Sequence, residues 1–225
     1  MMRQKGTRLL FDYWNALRGD RQAPNRSEIA PAALGRSLAH VFILDAGASP
    51  ARFRIAGTWI GNVFGQEWTG APFSAMFDRD DHALVGRLTE AVAAESVVVT
   101  AELHAAAEEG READLELVLL PLADDPVRLI GSVHACRDAF WLGAYPLAPA
   151  HLTSVRLMDP GRPLFDLAAR PAIPIAKRRN TQPARSRRIL RVIEGGAGDE
   201  SRAHPSPVRP ALRLIGADQP PADRG

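Results

Sequence analysis

The sequence is poor in cysteine and contains no long apolar run, and both absences exclude whole classes of protein. Cys136 is the one cysteine among 225 residues, so no internal disulfide can form and a secreted disulfide scaffold is excluded. No stretch approaches the roughly 18 consecutive apolar residues that a membrane span requires. Residues 1–5 lead into an amphipathic segment instead of the apolar core of a signal peptide. We therefore expect a cytoplasmic protein with no membrane span.

Motifs of common catalytic and nucleotide-binding sites are also missing. There is no Gly-x-Ser-x-Gly elbow, no His-Glu-x-x-His zinc motif and no Gly-x-x-x-x-Gly-Lys-Ser/Thr phosphate loop. The glycine-rich residues 195–198 lack the lysine and the hydroxyl group that grip phosphate. We expect a protein that is not an enzyme, with an enzyme of unrecognised type as one alternative.

Two groups of side chains could ligate a metal, and each has a simpler explanation. The first group stands at the start of a predicted helix and comprises Asp78, Asp80, Asp81 and His82. Acidic residues in that position stabilise a helix through its dipole. The second group, His134 and Cys136, lies on one face of a predicted strand but supplies only half of a typical zinc site. We expect no metal site, and a packed cysteine beside a hydrogen-bonded histidine.

The net charge of +2 conceals a division of charge along the chain. Residues 1–140 hold 14 Lys/Arg and 19 Asp/Glu, a balance of −5, whereas residues 141–225 hold 14 and 7, a balance of +7. The prolines divide similarly, with 6 in the first part and 12 in the second. A chain with 46% hydrophobic residues can bury a core. We predict a globular domain over residues 1–140 and a flexible, largely disordered Pro/Arg-rich tail over residues 141–225.

Hydrophobic periodicity predicts an α+β domain. Helical segments are predicted at residues 7–18, 27–38, 58–64 and 78–95, and strands at residues 41–44, 52–56, 96–105, 113–122 and 127–137. The short turns between the last three strands favour antiparallel neighbours, since a parallel crossover needs a dozen or more residues.

This order of elements resembles that of a PAS domain, and short motifs strengthen the resemblance. They are the run 11–14 (FDYW) with 17–19 (LRG), the segment 38–45 (LAHVFILD) and the segment 52–58 (RFRIAGT). Over residues 7–140 the sequence resembles small bacterial single-PAS-domain proteins of mostly unassigned role. The resemblance implies a five-stranded antiparallel sheet with helices on one face, an N-terminal flanking helix and a sensory or regulatory role. Such proteins generally lack an attached kinase or cyclase, which implies output through a separate partner such as a histidine kinase.

The resemblance also implies a ligand cavity between the sheet and the helices. The side chains expected to line it are Phe42, Phe53, Ile55, Trp59, Phe64, Trp68, Leu88, Val99, Leu117 and Val133. The alternative is that these side chains form an ordinary packed core. No group of polar residues indicates which ligand would bind. No cofactor is identified: Cys136 stands in Ala-Cys-Arg-Asp on a strand, which rejects flavin photochemistry, and only His82 lies on a helix where haem could be ligated. An uncoloured small ligand is the expected occupant.

The first predicted helix carries an apolar stripe that could contact a partner. Leu10, Tyr13, Trp14 and Leu17 fall at helical spacing, and tryptophan and tyrosine are favoured interface anchors. The resemblance implies that such a helix packs on the sheet or mediates dimerisation. We expect a homodimer contact or a kinase-binding surface here, with core packing as the alternative.

The tail contains three similar aliphatic segments, at residues 151–161, 188–196 and 211–217. Their alternation suits an extended segment that adds to a sheet edge, in the domain or on a partner. A basic run comprises Lys177, Arg178, Arg179, Arg185, Arg187 and Arg188. It supports an alternative function in binding nucleic acid or an anionic surface, although Phe165 is the one aromatic residue after Tyr145 that could stack on bases. Contact between the basic tail and the acidic domain would explain the same charges.

Overall fold

The computed structural model describes residues 2–161 and 173–174 of the chain. Its α-helices are α1 (Lys5–Arg18), α2 (Pro31–Leu34), α3 (Thr58–Phe64) and α4 (His82–Glu95). Short 3₁₀ helices cover Arg26–Glu28, Gly35–His40, Phe73–Met76, Arg79–Asp81 and Glu108–Gly110. The strands are β1 (Val41–Asp45), β2 (Arg52–Ala56), β3 (Val98–Ala106), β4 (Glu112–Leu122), β5 (Arg128–Ala135), β6 (His151–Met158) and β7 (Ile173–Pro174).

The strands form one antiparallel sheet in the order β2-β1-β5-β4-β3-β6-β7. All five predicted strands are present, which confirms the α+β fold. The sheet is wider than the five strands expected, because β6 pairs with β3 and the two-residue β7 pairs with β6.

Each face of the sheet buries its own hydrophobic cluster. On one face, Leu115, Leu117 and Leu119 of β4 pack beneath α3 and α4. On the other face, Val118 and Leu120 pack beneath α1. Strand β4 is therefore covered on both sides, which explains why its sequence is nearly continuously apolar.

Helix α1 is amphipathic, and its apolar stripe faces the sheet. Leu10 and Trp14 are completely buried, whereas Leu9 on the other side of the helix is exposed. Helices α3 and α4 lie on the opposite face, so the predicted flanking helix is separate from the helices of the main layer. Gly65 ends α3 in the left-handed conformation (φ 66°), as the glycine at that position predicts.

The chain continues as part of the sheet beyond residue 140, where composition places the start of the tail. Leu152 and Val155 of β6 are buried in the same cluster as Leu117, and so are Leu147 and Ala150 of the preceding segment. The proline and charge content changes near residue 140, but these apolar side chains still require burial. The first aliphatic segment thus adds to a sheet edge within the domain. The other two segments and the basic run lie outside the described residues, as does a second unit, Asn180–Gly225.

Candidate functional site

Most residues predicted to line a ligand cavity meet between the sheet and the helices α3 and α4. Those buried in the cluster on this face are Phe42, Phe53, Phe64, Trp68, Val99, Leu117 and Val133. Trp59 and Leu88 are half-buried and pack against it. Ile55 does not join them and is 50% exposed, because a bulge between Ile43 and Leu44 pairs Ile55 with Ile43, whose side chain faces α1.

Three residues that the sequence interpretation missed complete the cluster. Phe73, Met76 and Phe77 lie on and just after a 3₁₀ helix, and all three are buried. The ring of Phe73 lies 5.5 Å from those of Phe42 and Phe53, measured between centroids. The spacing of these residues after Pro72 is the signal that could have revealed them, since apolar residues three and four positions apart share one side of a helical turn.

Trp68 places a hydrogen-bond donor in this apolar cluster. Its side chain is 1% exposed, with ring centroids 5.1 Å from Phe53 and 5.6 Å from Phe64. Within residues 2–161, its Nε1 has no hydrogen-bond partner. A buried donor without an acceptor costs about 1–3 kcal/mol. Trp68 Nε1 is therefore a buried donor surrounded by apolar side chains.

On the other face of the sheet, the stripe predicted as a partner surface packs within its own domain. Leu10 and Trp14 are 0% exposed, and Trp14 Nε1 donates a hydrogen bond of 2.8 Å to the carbonyl oxygen of Pro121. Tyr13 and Leu17 are partly buried against the same cluster. This arrangement matches the alternative in which the flanking helix packs on the sheet.

A buried carboxylate holds the start of α1. Glu116 on β4 is 3% exposed and accepts hydrogen bonds from the backbone N–H groups of Arg3 (2.7 Å) and Gln4 (3.0 Å). The Arg3 guanidinium also pairs with Glu102, at 3.3 Å. A negative charge at a helix N-terminus satisfies free N–H groups and opposes the positive end of the helix dipole.

Next to Glu116, two histidine rings stack. His134 of β5 and His40 have ring centroids 4.3 Å apart, and His40 also contacts Trp59 at 4.4 Å. His40 Nδ1 lies 3.1 Å from the carbonyl oxygen of Val133 and donates to it. Burial and the nearby His40 lower the pKa of His134 from 6.5 to about 4, and burial lowers the pKa of His40. Both rings are therefore neutral at pH 7.

Helix α1 lies close to His134 at Gly6. A Cβ atom added to Gly6 would lie within 2.1 Å of a ring carbon of His134. We expect Gly6→Ala to destabilise the protein by about 1–3 kcal/mol, although alanine favours helices over glycine by about 1 kcal/mol, because overpacking moves the helix off the sheet.

Urea unfolding of the purified variants measures this effect, and Gly86→Ala is the matched control. Gly86 also lies within a helix, α4, but nothing stands within 4 Å of its added Cβ, so this variant should be more stable than the wild type. Equal gains in stability for both variants would contradict the close packing at Gly6.

The other sites considered from the sequence have structural explanations. Burial, with nearby Glu116, raises the pKa of Cys136 to about 11, which disfavours the reactive thiolate. Asp78 and Asp81 lie 3.8 and 3.9 Å from His151, and Asp81 accepts a hydrogen bond from the Leu152 N–H, so they attach β6 beside the start of α4. His82 Nε2 contacts the carbonyl oxygen of Phe77. Among residues 2–161, no group of three or more His, Cys, Asp or Glu residues is placed to hold a metal ion.

Comparison with known proteins identifies a family for most of the domain. A family model described as a PAS domain matches residues 2–134, more than half of the chain. No curated protein matches the sequence. Within the part of the chain that the structure describes, no helix is both long and apolar enough to cross a membrane.

Proposed function

The chain belongs to the PAS domain family, and we propose that it is a regulatory protein that binds a small ligand in its core and acts through protein partners. PAS domains are sensory and generally non-catalytic modules. We assign no catalytic step to this one. The partners we propose are signalling proteins such as histidine kinases.

The buried Trp68 Nε1 supports the ligand more strongly than any other observation. The cluster around it is aromatic and aliphatic, and the donor has no acceptor within residues 2–161. Ligand sites are typically apolar with few oriented polar groups. We therefore propose a small, largely apolar ligand whose carbonyl, carboxylate or ether oxygen accepts from Trp68.

Trp68→Phe should weaken ligand retention about tenfold while the protein stays folded. Phenylalanine keeps an aromatic ring but removes the N–H donor, and one hydrogen bond contributes about 1.4 kcal/mol. Mass spectrometry of small molecules released from the purified full-length protein measures retention.

Leu9→Ala is the control for that measurement, since Leu9 is exposed on the far side of the sheet from the cluster. Full occupancy in the Leu9 variant and loss in the Trp68 variant support the ligand site. Wild-type protein that releases no small molecule, or equal occupancy in all three proteins, contradicts it.

Partner binding is tested best with a chain shortened according to the structure. We propose that the domain extends through residue 161 and that the tail follows it. Capture of a histidine kinase by the full chain and by residues 1–161 assigns the contact to the domain, and capture by the full chain alone assigns it to the tail. Light scattering of both chains tests the proposed homodimer. Failure of both chains to bind a histidine kinase contradicts the proposed partner class.

The charge of the tail favours one competing function, binding to nucleic acid. The basic run lies within a segment of balance +7. Binding to random-sequence DNA through such charges should weaken steeply with salt. DNA binding at low salt that disappears in residues 1–161 would favour this function, and no binding at low salt eliminates it.

A further inference from the structure

The contact between α1 and the sheet contains buried polar atoms without partners. Within residues 2–161 these include Thr7 Oγ1 of α1, and Ser132 Oγ and His134 Nε2 of β5. Thr7 and Ser132 are 0% exposed, and His134 is 9% exposed. A buried polar atom without a partner raises the free energy of the packed state, and hydration would relieve it. The docked position of α1 is therefore less stable than its apolar contacts alone would make it.

The N-terminal end of α1 lies against two side chains of the sheet, Glu116 and His134. The oxygen atoms of Glu116 accept hydrogen bonds from the N–H groups of Arg3 and Gln4. His134 must be neutral, because the backbone at Gly6 lies against its ring and the N-terminal end of a helix carries positive potential. A proton on His134 therefore weakens the contact.

We propose that Glu116 and a neutral His134 hold the N-terminal half of α1 on the sheet at neutral pH, and that protonation of His134 in mild acid releases this half of the helix. The contact lies on the face of the sheet opposite the aromatic cluster around Trp68. It therefore goes beyond the proposed ligand-dependent function and requires no ligand. Release of this half uncovers Thr7 and Leu10, which are completely buried when the helix is docked.

Several charged and titratable groups lie near His134 and act on its protonated form in different directions. They are Cys136 just after β5, Glu116 on β4, Glu102 on β3, Arg3 before α1 and His40 before β1. Cys136 is neutral because burial raises its pKa to about 11. The carboxylates of Glu116 and Glu102 would attract a charged His134 and oppose release. Arg3, and His40 at 4.3 Å if it were protonated too, would repel a charged His134 and favour release.

The pH range of release follows from the pKa of His134. This pKa is about 4 with α1 docked and returns to its ordinary value of 6.5 when release exposes the ring to water. Because the docked pKa is the lower one, the contribution of His134 to docking is complete above pH 6.5 and is lost as the pH falls toward 4. Between pH 7 and pH 5, the equilibrium should shift about 20-fold toward release. Carboxyl groups ordinarily bind protons below this range.

Amide hydrogen exchange of the full chain tests the proposal. Exchange is measured at pH 7 and pH 5, corrected for the intrinsic pH dependence, and compared between a peptide from α1 and one from β4. In the wild type, the protection of α1 should fall about 20-fold while β4 changes little. In His134→Gln, which cannot take up a proton at this site, the fall should be less than threefold.

His151→Gln is the matched control, because His151 is a histidine that lies beside the start of α4 and pairs with Asp78 and Asp81. It should retain the wild-type response. A wild-type α1 that loses less than threefold protection overturns the proposal even if His134→Gln does not fold. A full 20-fold loss in a folded His134→Gln variant overturns it equally.

Discussion

A chain that ends at residue 140 should not fold stably, whereas a chain that ends at residue 161 should. The shorter chain lacks β6 and the segment before it, in which Leu147, Leu152 and Val155 are at most 5% exposed. Burial of each such side chain contributes about 1.5–3 kcal/mol, so the loss is about 5 kcal/mol or more, comparable to the total stability of a small domain. Removal of β6 also leaves β3 as an unpaired edge beside the core.

Thermal unfolding followed by circular dichroism distinguishes the two chains. Residues 1–161 should show a cooperative transition near that of the full protein, and residues 1–140 should show none or one at least 15 °C lower. Leu152→Ala in the full chain removes core packing without shortening the chain. It should lower the free energy of unfolding by about 2–5 kcal/mol. Equal transitions for the two shortened chains would mean that β6 contributes nothing to the folded domain.

The strands could be predicted from the sequence because their pattern is local. Alternation in β3 and the apolar run in β4 mark their buried faces directly, and the turns between β3, β4 and β5 are short. The C-terminal end of the domain could not be predicted from local patterns in this way, because β6 pairs with β3 across a connection that includes the hairpin of β4 and β5. Nothing local to residues 141–158 shows which strand they would join, and their proline content indicated a tail.

The residues of the candidate sites also divide into those that the sequence predicts and those whose positions depend on pairing between distant strands. Phe42, Phe53 and Trp68 could be assigned to one cluster because apolar residues of a PAS-like domain face its helices. The exposure of Ile55 depends on a bulge, which the sequence does not reveal. The stack of His40 and His134 depends on the pairing of β1 with β5, strands that are far apart along the chain. Only the strand order brings these rings together and places His134 against Gly6 of α1.

Trp14→Ala should be among the most destabilising single substitutions, with a loss of about 3–5 kcal/mol in the free energy of unfolding. Trp14 is completely buried between α1 and the sheet, and truncation would leave a large void. It would also remove the donor that bonds the carbonyl oxygen of Pro121, 2.8 Å from Nε1. Urea unfolding monitored by far-ultraviolet circular dichroism measures the loss.

Leu9→Ala is the matched control on the same helix, and because Leu9 is 41% exposed it should change stability by less than about 0.5 kcal/mol. A similar small loss for Trp14→Ala would show that α1 does not pack on the sheet in solution.

The difference in burial between Trp14 and Leu9 also determines which substitution can test dimerisation. A charged residue at position 14 would unfold the helix contact whether or not a dimer exists, so a change in mass would be ambiguous. Leu9→Glu alters the exposed side of a docked helix, and a loss of dimer there, with stability unchanged, identifies a true interface.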